Sequence, residues 1–475
     1  MRAVEFLLNG KRRRVDGVPP ATTVLDWLRG HARLTGTKEG CAEGDCGACT
    51  IVIGREIDGM LRHQAVNSCL MMLPQIAHCT VLTVEGLAEP NGALHPVQQA
   101  MIDTDATQCG FCTPGFVMAM FAFHEGGEAA EDSLIHEALA GNLCRCTGYR
   151  SIVEACRRAA RTPCVDTEND HEADALAALP VCSDYRAGGQ VFLRPGSLDA
   201  LFAAMADFPD ALRLGGGTDL GLRVSKDREA IAAVISLATV PELQRVNVAA
   251  DALELGGAVT YTQALPHIDC HFPSFGALFR RIGSRQIRNL GTIAGNLVTA
   301  SPIGDTIPCL IALGASVTLA SRHGERVMPV ESFIIGYRKT ALRPGEVISA
   351  VLIPFLAQDT SFSTYKLSKR FDQDISTVIA AFHLECRNGE VHRVRAVYGG
   401  MAERVMRAKN VEAALTGRPW NSDTLANIDV ALARDFNPMT DHRGGAAYRL
   451  RAAANLLRRF AWETSSEVPM RVETL

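Results

Sequence analysis

Apolar positions change their period several times along the chain. Val4 to Leu8 and Lys11 to Val15 flank Asn9-Gly10, which predicts two short strands joined by a tight turn. The Lys11–Arg14 run reads as the solvated edge of that hairpin. Thr22 or Thr23 is placed to cap a short helix through Leu25, Trp27 and Leu28, stopped by Gly30. A Gly- and Cys-rich loop (40–48), a strand from Thr50 to Ile53 and an Asp58-Gly59 turn complete a small α+β unit ending near Glu85. From Val97 the period becomes helical. Thr113 offers a capping hydroxyl before Pro114, followed by Phe116, Val117, Met120, Phe121 and Phe123. A second helix is predicted from Ser133 to Gly141, and Ser151–Glu154 reads as a capping box that opens a third. This helical bundle ends near Arg161, and Thr162 to Gly189, polar and Ala-rich, reads as a linker. Beyond Val191, β-branched runs (232–236, 317–320, 347–353, 391–398) alternate with Ala-rich helical stretches. The expected domains are 1–85, 86–161, a linker 162–189, 190–356 and 357–475.

Composition excludes several classes. With 475 residues, 47% apolar and 21% charged, the chain is neither disordered, collagen-like nor a coiled coil. A net charge of -4 provides no field to recruit nucleic acid or an anionic membrane. The best apolar stretch, Ile307 to Ala320, is shorter than the ~20 residues that a bilayer requires. No apolar leader precedes the first charges, so a cytoplasmic protein is expected.

Cysteine is the unusual residue. Eleven of fifteen fall in the first 164 residues. An odd total without a secretory signal argues for metal rather than a disulfide framework. The first set is Cys41-x4-Cys46-x2-Cys49, then nineteen residues, then Cys69. This is the plant-type [2Fe–2S] spacing, with Gly40, Gly44 and Gly47 letting backbone N–H groups approach sulfur. A four-cysteine zinc site is the alternative. The second set is Cys109-x2-Cys112, thirty-one residues, then Cys144-x-Cys146, placed where helix N-termini favour thiolates. By itself it is a metal signal, with dithiol redox chemistry as the rival.

Two glycine-rich words mark the second half. Leu212 to Gly221 is a strand running into Gly215-Gly216-Gly217, a turn suited to pyrophosphate, although Leu220 breaks a dinucleotide fingerprint. Ile287 to Leu297, followed by Ser301 to Asp305, is a second phosphate-type loop. Together they suggest one extended nucleotide.

The words Gly-Cys-Ala-Glu-Gly-Asp-Cys-Gly-Ala-Cys-Thr (40–50), Gln-Cys-Gly-Phe-Cys-Thr-Pro-Gly (108–115) and Gly-Asn-Leu-Cys-Arg-Cys-Thr-Gly-Tyr-Arg (141–150) resemble the iron–sulfur domains of the molybdenum hydroxylases. That family includes xanthine dehydrogenase, aldehyde oxidase and carbon monoxide dehydrogenase. The resemblance implies a multidomain α+β chain: a ferredoxin-like β-grasp domain, a helical-bundle domain, an α+β FAD-binding domain and a small α+β C-terminal domain. It assigns Cys41, Cys46, Cys49 and Cys69 to one [2Fe–2S] cluster, and Cys109, Cys112, Cys144 and Cys146 to a second. The glycine words look like the family's FAD domain. Carried over, Arg213, Leu214, Gly215, Gly216, Gly217, Thr218, Asp219 and Leu220 line the dinucleotide. Thr292, Gly295, Asn296 and Asp305 contact it, and Ile282, Ile348 and Lys366 fall at further contact positions. Gly336–Thr340 and Lys369–Ile375 match other family words.

With both cluster domains ahead of the flavin domain, the order is that of xanthine dehydrogenase and aldehyde oxidase. No molybdopterin portion is present, so the resemblance points to the small subunit of a bacterial two-subunit xanthine dehydrogenase. It implies a large molybdopterin-binding partner and a heterotetramer with two copies of each subunit. Electrons from oxidation of hypoxanthine and xanthine to urate would cross the helical-domain cluster, then the ferredoxin-like one, then FAD, and reach NAD+. No nucleophile or acid–base dyad stands out on this chain. Alternatives are the same role toward an aldehyde, nicotinate or an aromatic acyl-CoA and, from another class, a zinc-stabilised binding protein.

Overall fold

A computed structural model describes residues 3–57, 59–89, 91–163 and 169–465. They form two compact units: residues 1–240 with 283–291, and residues 241–282 with 292–475.

The first unit opens with a five-stranded mixed sheet in the order Lys11–Val15, Val4–Leu8, Thr80–Leu82, Thr50–Ile57, Met60–Asn67. Alternation decides which face is buried: Val4, Phe6 and Leu8 point into the core, where Phe6 meets Trp27 edge-on. The Lys11–Val15 strand lies at the edge with its four cations exposed, as its sequence implied. Thr23 caps the helix Val24–Gly30 by accepting from Asp26 N–H. Asp58 of the expected turn lies outside the described residues.

A helical bundle follows, with helices Pro96–Asp103, Thr113–Glu125, Asp132–Leu139 and Arg150–Ala159 around Phe116, Met120, Phe123, Ile135 and Ile152. Two caps differ from the sequence reading. Thr113 is inside its helix rather than before it, and its hydroxyl pairs with that of Thr107 while Cys112 takes the cap position. Ser151 caps nothing. The helix starts at Arg150 behind Tyr149, which is held at φ 69°, and Glu154 pairs with Arg157 and Arg158 instead. Both helix starts are set by the cysteine loops ahead of them. The stretch read as linker carries a helix, Asn169–Ala177, and a strand, Asp184–Ala187. That strand joins Gln190–Leu193, Ala233–Ser236 and Leu212–Leu214, the last three parallel, over Phe192, Leu214, Ile231 and Val234.

The second unit contains a five-stranded antiparallel sheet (Val246–Val248, Ala252–Gly256, Val347–Pro354, Ser316–Ser321, Gly324–Pro329) and a four-stranded one (Thr360–Leu367, Val378–Arg387, Glu390–Gly399, Met406–Arg407). The helix Thr306–Leu313 is buried along its whole length and shares one core with Val317, Val351, Ile379 and Val397. Its apolar run is therefore a core helix, and among the described residues no helix is long and apolar enough to cross a membrane. A long helix, Ala446–Ser465, lays Leu457 and Phe460 against the second sheet.

Candidate iron–sulfur and flavin sites

The folding of the first unit gathers each cysteine set into two pairs. In the first set Cys49 and Cys69 are buried with sulfurs 3.2 Å apart, and Cys41 shares a hydrogen bond with Cys46. In the second set Cys109 and Cys146 are exposed with sulfurs 3.6 Å apart, and Cys112 faces Cys144. None is in a disulfide. Tetrahedral thiolates on one metal at about 2.3 Å would stand about 3.8 Å apart. Cys109 and Cys146 are near that spacing and Cys49 and Cys69 are closer, so a metal between the latter would part them by about 0.6 Å. A mononuclear zinc site would close all four sulfurs to about 3.8 Å of one another. Among the described residues the single trio of His, Cys, Asp or Glu with ligand atoms all within 4.8 Å is His95, His124 and Glu125, so each set is two pairs rather than one tetrahedron. That geometry suits a two-iron cluster.

Local electrostatics favours a thiolate on one member of three pairs, Cys41, Cys49 and Cys144, while their partners Cys46, Cys69 and Cys112 are held protonated, as is Cys146 beside Cys109. Cys41 shares a proton with Cys46, and N–H groups of Glu43 and Cys46 point at its sulfur, which lowers its pKa to about 5 while that of Cys46 rises. Cys69 likewise lowers Cys49, helped by the Asn67 amide. Burial opposes ionisation of Cys144. The Thr147 hydroxyl and the N–H groups of Cys146 and Thr147 outweigh it and bring the thiol to about 7. Among the remaining cysteines Cys79, Cys156, Cys182 and Cys309 are buried, Cys386 is half-buried and Cys270 exposed; Cys164 lies outside the described residues.

The strand Leu212–Leu214 runs through the glycine turn into the helix Leu220–Ser225. Gly216 sits against the Leu290 carbonyl with no room for a Cβ, and Gly217 is at φ 86°, so only glycine fits both. The helix behind the turn rests on the first cysteine loop. Leu222 packs with Ile287 on Cys49, Cys69 and Leu70, Ser225 donates to the Ala42 carbonyl (2.7 Å), and Lys226 to that of Cys41 (3.2 Å).

In the second unit Thr292 caps the helix Ile293–Thr299 by accepting from Gly295 N–H, and Asn296 accepts from Thr306. Asp305 and Lys366 form a buried ion pair at 2.6 Å, with Ser376 donating to the other carboxylate oxygen and Lys366 also donating to the Arg281 carbonyl. The structure therefore joins Asp305 and Lys366, sixty-one positions apart. Ile348 is part of the apolar core and Ile282 packs against it. Gly336 and Lys339 pair across a tight turn whose Tyr337 is exposed, and Phe371 of the Lys369–Ile375 loop lies under the Arg281 guanidinium.

Four stretches match described families: 6–73 a 2Fe-2S iron-sulfur cluster binding domain, 83–157 a [2Fe-2S] binding domain, 185–356 the FAD binding domain in molybdopterin dehydrogenase, and 363–464 the CO dehydrogenase flavoprotein C-terminal domain. The chain belongs to the molybdenum hydroxylase family. It carries two [2Fe–2S] domains and an FAD-binding domain of that family. Xanthine dehydrogenase of Emericella nidulans is 31% identical over 99% of this chain and 39% of its own length. Xanthine dehydrogenase/oxidase of Gallus gallus is 31% identical over 93% of this chain and 38% of its own. The chain thus spans about two fifths of these relatives. A carbon monoxide dehydrogenase structure from Hydrogenophaga pseudoflava superimposes with a TM-score of 0.54 at 26% identity, covering 57% of this chain and 96% of that one.

The His95–His124–Glu125 trio does not compete for metal. His95 Nδ1 accepts from Val97 N–H, which leaves the proton of the neutral ring on Nε2, the atom that faces Glu125. Sequence reasoning passed over Asn142, Gln286 and Ser376. Asn142 lies inside the 141–150 word and Gln286 immediately precedes the one that opens at Ile287, and a polar residue in or beside such a word was the signal available.

Proposed function

We propose that this chain is the iron–sulfur/FAD electron-transfer subunit of a xanthine dehydrogenase, carrying electrons from a molybdenum site on a separate large molybdopterin-binding subunit to NAD+ as hypoxanthine and xanthine become urate. The observation that carries the reading is the unbroken run of contacts in the first unit. The set that holds the exposed Cys109 and Cys146 adjoins the set that holds the buried Cys49 and Cys69, and the latter adjoins the helix that follows the glycine turn. Such an order suits electrons entering at the former set and leaving toward a flavin. Similarity to xanthine dehydrogenases along almost the whole chain supports the substrate. The near-complete cover of one chain of a carbon monoxide dehydrogenase structure, 96% of it, by 57% of this chain supports a partner on another polypeptide. A heterotetramer with two copies of each subunit, located in the cytoplasm, is part of the same proposal.

Cys41, Cys46, Cys49 and Cys69 would hold one cluster, and Cys109, Cys112, Cys144 and Cys146 the other. Arg213 to Leu220, Ile282, Thr292, Gly295, Asn296, Asp305, Ile348 and Lys366 would serve FAD. When bound, the clusters supply one-electron transfer and FAD couples it to a two-electron acceptor. The chain's own part is positional. Backbone N–H groups stabilise sulfur charge, Gly216 and Gly217 keep side chains out of the turn, and Asp305 holds the Lys366 ammonium in place.

Purified with its partner, the protein should contain about four irons and one FAD per chain, from the two-iron stoichiometry of each cluster. Its visible absorption should bleach with xanthine and recover with NAD+. The same cofactors without bleaching by xanthine would remove the substrate assignment and favour another molybdenum hydroxylase, the reading that the carbon monoxide dehydrogenase likeness supports. A colourless zinc protein would overturn the proposal.

A further inference from the structure

Gln286 is fully buried, and its amide joins the two cysteine loops. Its Nε2 donates to Asn142 Oδ1 (2.8 Å) and to Thr50 Oγ1 (3.3 Å). Asn142 Nδ2 in turn donates to the Gly47 carbonyl (3.0 Å), which also accepts from the Thr50 hydroxyl (2.7 Å). Gly47 and Thr50 flank Cys49 and follow Cys46, while Asn142 stands two residues before Cys144.

The polarity of this knot runs one way. A backbone carbonyl can only accept, so Gly47 fixes Asn142 with its NH2 inward and its oxygen outward. That oxygen then requires a donor, which fixes the Gln286 amide. Gln286 Oε1 is left buried without a partner, a penalty of about 1–3 kcal/mol on the usual scale. A leucine of similar size would avoid it. An amide kept against that cost is better explained by direction than by stability. The peptide around it is anchored too: Arg285 pairs with Glu128, and Arg288 with Glu137 at 2.7 Å.

We propose that Gln286 is a positioning residue that fixes the separation and orientation of the two iron–sulfur sites by clamping Asn142 of one loop to Thr50 of the other. The inference rests on the assignment of both cysteine sets as cluster ligands. Its role is confined to the relation between the sites, since every ligand lies outside the clamp.

The test is electron paramagnetic resonance of the fully reduced holoenzyme, in wild type, Gln286→Leu and Gln286→Glu. Dipolar splitting between two neighbouring paramagnetic clusters falls with the cube of their separation, so it reports spacing independently of turnover. Both variants are expected to keep wild-type iron content and each cluster's own signal, but to lose the resolved splitting. Gln286→Glu keeps the shape and removes the donor, so it separates hydrogen bonding from packing. Unchanged splitting in both variants would overturn the inference. Loss of iron from both would also overturn it, because the amide would then support the loops themselves. Absence of two cluster signals in the wild type would instead bring down the ligand assignment.

Discussion

The N–H of Leu143 donates to the carbonyl of Cys46 at 3.0 Å. Cys46 belongs to the first cysteine set and Leu143 adjoins Cys144 of the second, so a single backbone hydrogen bond links the two sets. Glycines make the approach feasible. A Cβ on Gly47 would overlap the Gly141 carbonyl, and one on Gly115 would overlap the carbonyl of Gly47. Two loops distant in sequence thus meet main chain to main chain, with Gln286 and Asn142 sealing the seam.

Gly47→Ala should therefore cost more than backbone strain alone. Gly47 is at φ 67°, a conformation worth about 1–2 kcal/mol to an alanine, and the Gly141 carbonyl must also move. Gly10 is at φ 73° with nothing near its Cβ position, so Gly10→Ala carries only the first penalty. Thermal denaturation should place Gly47→Ala several degrees below Gly10→Ala. Iron analysis should find Gly47→Ala depleted and Gly10→Ala complete. Equal melting points would mean that the loops can separate freely.

Exposure should also order the loss of iron. Cys109 and Cys146 are open to solvent, whereas Cys49 and Cys69 are buried behind Leu25, Leu70, Leu222 and Ile287. A chelator added to the oxidised protein should remove iron in two phases, the faster one belonging to the exposed set. Cys112→Ser should abolish the fast phase and leave the slow one together with FAD. A single phase in the wild type, or survival of both in the variant, would contradict the ligand grouping.

The strands that carry this architecture were readable because alternation and turn dipeptides are local. Val4–Leu8 and Lys11–Val15 lie where the Asn9-Gly10 turn put them, and the β-branched runs near 233–236, 316–321, 347–354 and 390–399 are all strands. The grouping of the cysteines was equally legible, since their spacing is local, and the fold gathers each set into two pairs. What stayed hidden depends on tertiary context. Ser151 and Glu154 satisfy a capping pattern, yet Tyr149 starts that helix in a left-handed conformation while its hydroxyl accepts from Cys144 N–H. The Asp305–Lys366 pairing spans two elements with no periodic relation, and nothing local announces that Gln286 would lie beside Asn142.

Removing one member of the Asp305–Lys366 pair should be severe. Their side chains are 10% and 2% exposed, and breaking a buried ion pair typically costs about 3–5 kcal/mol because the partner is left charged and unpaired. Lys366→Met leaves Asp305 with Ser376 alone. Urea unfolding of this variant should show that order of loss, and Lys366→Met with Asp305→Asn should recover part of it. FAD content should fall in the single variant even where the fold persists, while four-iron loading stays that of the wild type. A loss below about 1 kcal/mol, the range of exposed pairs, would place the pair at the solvent boundary.

His383 gives the second unit a specific acid sensitivity. It lies on the strand Val378–Arg387 opposite Phe362 on one side and Arg395 on the other, and its buried Nδ1 has no hydrogen-bond partner. Burial comes first, then the Arg395 and Arg393 cations, in lowering its pKa to about 4, with Glu385 opposing weakly. An unfolded histidine titrates near 6.5. Between those values the unfolded chain binds the extra proton and the folded one does not. The contribution is therefore complete above pH ~6.5 and declines toward pH 4, with a slope of at most about 1.4 kcal/mol per pH unit. His383→Phe removes the titrating ring and the orphaned nitrogen together. Urea midpoints at pH 7 and pH 5 should diverge for the wild type and draw closer for the variant, which should be no less stable than the wild type at pH 5. Parallel pH dependence in the two proteins would show that His383 titrates alike in the folded and unfolded chains, and would overturn the prediction.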